Sequence, residues 1–204
     1  MGLIVVRHAL STWNMDGRWQ GQADPPLAAQ GEAQARAAAA AVGSVDLVVT
    51  SDLERARRTG ALLAPGVAAR EVRELREFDV GAWSGLTRAQ IEAEWPGEVA
   101  LFDAGRLSAP PGGEPRAAFE ARVGTAARVV AGLVGETGAA RTLVVTHGGV
   151  IRIWARIQGR PDAHVAHLCG YEAEDKGGTV VLLTPVDLRP APPGRPGPPP
   201  EPAY

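Results

Sequence analysis

Four short apolar runs, each rich in β-branched residues, punctuate the chain: Leu3–Val6, Val45–Thr50, Thr142–Thr146 and Thr179–Thr184. Runs of this length bounded by polar breaks predict buried strands. Between them the spacing turns helical. An alanine-dense stretch from Ala28 to Val42, interrupted by Gly31, predicts a helix that can lie close to a sheet. Leu53–Leu63 predicts a second, with Ser51 and Asp52 offering N-cap oxygens. Thr87–Glu94 reads as a short helix capped by Thr87, and Glu114–Glu136 as a longer one with Phe119, Val123, Val130 and Leu133 on one face. A last helix runs from Val150 to about Ile157. Glu71–Leu75 reads as a further short strand, and Pro96–Pro115 as irregular, broken by Pro110-Pro111-Gly112-Gly113. Strands alternating with helices predict an α/β fold, a three-layer α/β/α sandwich around a mostly parallel central sheet.

Composition sets bounds on this picture. The 204 residues suit one domain with a tail, and 45% hydrophobic with 22% charged residues suits a packed core. Pro185–Tyr204 holds nine of the 17 prolines and almost no large apolar residue, so the expected domain is 1–184 and 185–204 a proline-rich, disordered tail. A net charge of −2 gives no basic excess, so no nucleic-acid partner is expected. No segment has the length and apolarity of a membrane span or of a secretory signal, so a cytoplasmic location is expected. The single cysteine, Cys169, excludes an internal disulfide and reads as a buried thiol. Oligomeric state is not readable.

Two of the strands end alike. LIVV runs into Arg7-His8-Ala9, and TLVVT into His147-Gly148-Gly149. If both strands are parallel and central, the histidines share the carboxyl edge of the sheet, where open α/β sheets place their ligands. Arg55, opening the helix after the second strand, belongs to that edge, as does Glu77 if the short third strand is parallel. Two arginines, two histidines and a carboxylate suit phosphoryl transfer. Guanidinium forks bind phosphate oxygens, a neutral imidazole is a competent nucleophile, and a protonated carboxyl can serve the leaving oxygen. With arginines neutralising the charge, no metal and no cofactor is expected.

Arg7-His8-Ala9 followed by Ser11-Thr12-Trp13-Asn14 resembles the signature of the histidine phosphatase superfamily, in its phosphoglycerate-mutase-like branch. Arg18-Trp19-Gln20-Gly21 with Asp24 and Pro26-Leu27 is similar to the family's next loop, and Ser51–Ala56 with Thr59 to its second arginine motif. Leu75-Arg76-Glu77 with Gly81, Trp83 and Gly85-Leu86 resembles the acid motif. Pro110–Glu114 and Val144–Arg152 match further blocks, in the family's order. The resemblance implies that His8 is the nucleophile forming a phosphohistidine, that Arg7, Arg55 and His147 hold the phosphoryl oxygens, and that Glu77 is the proton donor. Asn14 would be an additional phosphate contact; Gln20 reads as such a contact or as a loop hydrogen bond. The chain departs from the family at Ala9, where glycine is usual, and at Leu10, where a polar residue is common.

The expected function is hydrolysis of a small-molecule phosphomonoester through a phosphohistidine. The alternatives are a cofactor-dependent phosphoglycerate mutase, and a non-catalytic phospho-ligand binder with Ala9 as the sign of decay. Trp13, Trp83 and Trp95 are candidates for a pocket lining, with Trp83 read as structural. Arg152 reads as helix surface or an ion pair, Arg76 as pointing away from Glu77, and His164 and His167 as surface or turn residues rather than metal ligands. The segments that would define the leaving group, Trp95–Gly113 and His164–Gly178, follow no readable pattern.

Overall fold

The computed structural model describes residues 2–161 and 164–190. One sheet holds β1 (Gly2–Arg7), β2 (Leu47–Thr50), β3 (Ala69–Glu71), β4 (Arg141–Thr146), β5 (Cys169–Asp175) and β6 (Val180–Asp187), in the order β3-β2-β4-β1-β5-β6. β3, β2, β4 and β1 run parallel, and β5 and β6 close one side antiparallel. The helices are α1 (Thr12–Met15), α2 (Ala29–Val42), α3 (Glu54–Leu63), α4 (Arg88–Glu94), α5 (Glu98–Asp103), α6 (Arg116–Thr137) and α7 (Gly148–Ile157).

The strand alternation explains why three layers form. Leu3, Val5, Leu47, Val49 and Val144 face α6 and α7, packing with Phe119, Val123, Val130, Ile151 and Trp154. Ile4, Val6, Val48, Leu143 and Val145 point the other way, onto Ala35, Ala38 and Val42 of α2 and Ala56, Leu62 and Leu63 of α3. A strand buried on both faces reads as a continuous apolar run, as these do. The mostly parallel three-layer α/β/α sandwich expected from the sequence is therefore the architecture found.

Local expectations fail where distant residues decide the outcome. Thr87 caps α4 as expected, through a reciprocal capping box with Gln90. Ser51 and Asp52 do not cap α3: the helix begins at Glu54, whose N–H donates to Asp24 Oδ1 at 2.7 Å, while Ser51 Oγ accepts from Leu53 N. Glu71–Leu75 is not a strand, because β3 stops at Glu71 and a 3₁₀ turn, Arg73–Leu75, carries the chain over the end of the sheet. Thr146 Oγ1 ties that turn down by donating to Leu75 O at 2.8 Å. Pro96–Pro115 is not wholly irregular, since α5 forms within it. β5 arises in a segment for which no element is expected. The domain boundary expected at 185 falls inside β6, which runs to Asp187 and is followed by the buried Leu188. Residues 191–204, most of the expected tail, lie outside the described residues. Among the described residues no helix is long and apolar enough to cross a membrane.

Gly31 shows how closely α2 is seated. A Cβ there would overlap the Leu10 carbonyl, on the loop that follows β1. Gly31→Ala should therefore cost about 1–3 kcal/mol, as overpacking does. Gly132→Ala, in the open on α6, should stabilise by roughly 0.5–1 kcal/mol through helix propensity. Urea unfolding of both variants checks this; equal midpoints for the two would contradict the packing described.

Candidate active site

The carboxyl ends of β1, β4 and β2 meet at one edge. β1 delivers Arg7 and His8, whose N–H donates to Thr146 O at 2.9 Å, and β4 delivers His147. After β2 the chain turns at Ser51 and enters α3, whose second residue is Arg55. His8, Arg55 and His147 are all 2% exposed or less. The two imidazoles lie edge to face with ring centroids 5.1 Å apart.

His8 Nδ1 lies 2.7 Å from Ala9 O. A carbonyl oxygen only accepts, so Nδ1 carries the proton and the lone pair of the neutral ring resides on Nε2. Burial holds the His8 pKa well below its ordinary value, and the Arg55 and Arg7 guanidiniums and His167 push it the same way. His147 is likewise held low, by burial first and then by Arg55, His8 and Arg7. Neutral imidazoles result.

The two guanidiniums are fixed from behind. Arg7 Nη1 donates to Val165 O at 2.8 Å, and Arg55 donates through Nη1 to Ala23 O and through Nη2 to Gly21 O, both at 2.7 Å. Burial lowers the Arg55 pKa to about 10 and lowers that of Arg7, with Glu77 opposing both shifts. Arg7 Nε, Arg55 Nε and both ring nitrogens of His147 are buried without a hydrogen-bond partner among the described residues. Buried donors are normally satisfied, so this group of cationic and N–H donors is suited to an anion.

Glu77 faces them. Its Oε2 accepts from Gly149 N at 3.0 Å, in the first turn of α7, and its Oε1 from Phe78 N at 2.8 Å. A Cβ at Gly149 would overlap Glu77 Oε1, so this close approach requires glycine. The segment carrying Glu77 is gripped by Arg122 of α6, which donates to the carbonyls of Glu74, Arg76 and Glu77 and forms a bidentate pair with Glu114. Arg76 points away, as expected, and pairs with Asp52 through two 2.7 Å bonds.

Arg7, His8, Asn14, Gln20, Arg55 and Glu77 line one cavity of about 320 Å³, together with Arg18, Trp19, Phe78, Phe102, Asp103, Gly149 and Arg152. Every expected site residue except His147 is on that wall, and His147 lies behind it against His8. Asn14 and Gln20 both reach Ser11 Oγ, at 2.8 and 2.9 Å, so the loop hydrogen bond anticipated for Gln20 exists alongside its place on the wall. Among the expected tryptophans, Trp83 is fully buried against Trp19 and Phe102; Trp19 lines the cavity instead. Arg152, read as helix surface or an ion pair, lines it too. Ala9 is buried, donates its N–H to Thr59 Oγ1 at 3.0 Å, and has no positive φ; among the described residues Leu168 is the one non-glycine that does. Alanine thus fits this backbone without strain.

His167, read as a surface or turn residue, lies in the turn before β5, but it faces His8 rather than solvent. Its Nδ1 lies 3.1 Å from His8 O and its ring 5.6 Å from that of His8. Burial, then Arg7, lowers its pKa to about 4, so the neutral ring donates to the His8 carbonyl. The missed signal was the alternation of Cys169, Tyr171 and Ala173 with Glu172 and Glu174, which marks β5 and so places the preceding turn beside β1. Cys169 is half-buried rather than buried; its Sγ lies 3.3 Å from Asp187 Oδ1, and burial, with that contact, raises its pKa to about 11. Among the described residues no group of three or more His, Cys, Asp or Glu side chains could hold a metal ion.

Comparison with known proteins agrees with this arrangement. A glucosyl-3-phosphoglycerate phosphatase of Mycobacterium tuberculosis is 38% identical over 161 residues, 73% of this chain and 71% of that protein. A 2,3-bisphosphoglycerate-dependent phosphoglycerate mutase of Methylobacterium radiotolerans is 34% identical over 183 residues, 81% of this chain and 83% of that one. Among solved structures, the α-ribazole phosphatase of Shigella flexneri superposes with a TM-score of 0.75 at 28% identity, covering 90% of this chain and 95% of its own. The model of the histidine phosphatase superfamily (branch 1) matches residues 3–182, and with that match over most of its length the chain belongs to this family.

Proposed function

We propose that the protein hydrolyses a small-molecule phosphomonoester, with His8 as nucleophile. The observation that carries this reading is a buried neutral histidine, its Nδ1–H fixed on Ala9 O, between two anchored arginines that retain unpartnered donors. The Nε2 lone pair of His8 attacks phosphorus as the bond to the leaving oxygen breaks. Glu77, on the far side, gives its proton to that oxygen, then takes one from the water that cleaves the P–N bond and releases phosphate. Arg7 and Arg55 hold the phosphoryl oxygens through the two steps, His147 adds a donor from behind His8, and Asn14 and Gln20 border the same space. Charge is neutralised by guanidiniums, so the scheme needs neither a metal ion nor a cofactor. His167 acts through the backbone, holding the His8 carbonyl and with it the angle at which the ring is presented.

The mutase reading shares the first step and differs in the acceptor, which is a second hydroxyl rather than water. The phosphatases named among the relatives support hydrolysis. Incubation with an aryl phosphate and chelator should release inorganic phosphate, and His8→Ala should lower kcat by at least about a thousandfold. Release that requires added metal would contradict the scheme, as would full activity in His8→Ala. Conversion of 3-phosphoglycerate to its 2-isomer faster than to free phosphate would make the chain a mutase; no turnover of any ester with retained phosphate binding would make it a binder.

Stability should follow the site histidines. Their folded pKa values lie below the ordinary 6.5, so the unfolded chain takes up protons first as the pH falls. The stability is therefore present above about pH 6.5 and is lost as the pH falls, over the range 6.5 to about 4 for His167. Each histidine contributes at most about 1.4 kcal/mol per pH unit. Urea midpoints should fall from pH 7 to pH 5, less steeply in His147→Asn; parallel slopes would contradict burial of neutral His147.

A further inference from the structure

The phosphoryl cavity has a neighbour. A second cavity of about 430 Å³ is lined by Phe78, Phe102, Asp103, Gly149 and Arg152, all shared with the first, and extends past them to Arg116, Phe119, Ile153 and Arg156. Its position relative to the chemistry is set by Gly149, which lines both cavities and donates its N–H to Glu77 Oε2. Glu77, which lines the first cavity, therefore stands beside the residue at which the two cavities join.

The walls of that cavity have a distinct chemistry. Phe78 packs against Phe102 and Phe119 with ring centroids 5.6 and 5.0 Å apart, forming an aromatic side. The charged residues beyond it are mostly spent: Asp103 pairs with Arg88 at 2.5 Å, Arg156 pairs with Glu120, and Arg152 has a partner of its own. Arg116 differs. Its Nη2 donates to Phe102 O at 2.9 Å and its guanidinium lies 5.1 Å above the Phe102 ring, but it makes no ion pair among the described residues and its Nε has no hydrogen-bond partner. The protein thus fixes the plane of this guanidinium while leaving its charge uncompensated.

We propose that this second cavity is the leaving-group subsite and that it selects phosphomonoesters whose leaving group combines a flat or apolar body with a carboxylate. The body lies along Phe78, Phe102 and Phe119, and the carboxylate meets Arg116. One uncompensated guanidinium matches one monoanion, and a planar fork held in place binds a carboxylate with little loss of freedom. The assignment rests on the phosphatase reading above for the direction in which the leaving group departs.

The test compares kcat/KM for phenyl phosphate with that for 3- and 4-carboxyphenyl phosphate, in the wild-type protein, Arg116→Met and Arg116→Lys. The wild-type protein should prefer a carboxylated ester at least tenfold, with the preference shrinking as salt rises. In Arg116→Met the ratio of carboxylated to plain ester should fall about tenfold or more, through KM, and Arg116→Lys should restore part of it. An unchanged ratio in Arg116→Met overturns the proposal. So does the absence of a preference in the wild-type protein, which decides the matter without any variant should Arg116→Met not fold. If neither ester is turned over, it is the hydrolysis reading that fails. Calorimetric titration of the same esters then decides the subsite alone: about tenfold tighter binding of a carboxylated ester upholds it, and equal affinities overturn it.

Discussion

Burial and two neighbouring guanidiniums disfavour a charged imidazole where His8 stands, against a second histidine. That constraint organises the site. Neutrality leaves one ring proton, which stays on Nδ1 and is donated in a hydrogen bond to the Ala9 carbonyl, so the lone pair is on Nε2 without any further device. The arginines that depress the histidine are the groups a phosphate needs, which makes one electrostatic arrangement serve the free protein and the bound anion alike. The cost falls on Arg7 and Arg55, whose own pKa values are lowered by burial. Backbone carbonyls of Val165, Ala23 and Gly21 hold them there.

The acid side is built by a different method. Glu77 follows a three-residue strand and a 3₁₀ turn, neither of which fixes a side chain strongly. Arg122 supplies what is missing, reaching from α6 to three carbonyls of the segment while Glu114 neutralises it. The turn before Glu114 packs on the same segment, with Ala82 N donating to Pro111 O at 2.8 Å. The rigid core of the sheet thus holds Arg7, His8 and His147, and a clamp from a helix holds Glu77.

What could be read from the sequence follows this division. The strands carrying Arg7, His8 and His147 are β-branched runs whose burial on both faces leaves an unmistakable apolar signal. The motifs around Arg7, His8, Arg55 and Glu77 carry residues that line the cavity, and the one around His147 a residue behind it. The elements that were misread have no local signal strong enough. β3 is exposed along its whole length, α5 hides behind Pro96 and Gly97, and the N–H that opens α3 is satisfied by Asp24 from 30 residues away. His167 differs: the turn is legible, and its neighbour is His8 because β5, marked by its own alternation, runs back along β1. The leaving-group wall of Phe78, Phe102, Arg116 and Phe119 is likewise assembled from three separated segments.

The central claim is that His8 Nε2 becomes covalently bound to phosphorus. It is tested most directly by rapid quench at alkaline pH during turnover of an aryl phosphate, followed by peptide mapping and phosphorus NMR of the modified peptide. The structure predicts one phosphoryl group per chain, on His8 and attached at Nε2. Phosphate found on Nδ1, on His147, or on no residue while turnover proceeds would contradict it.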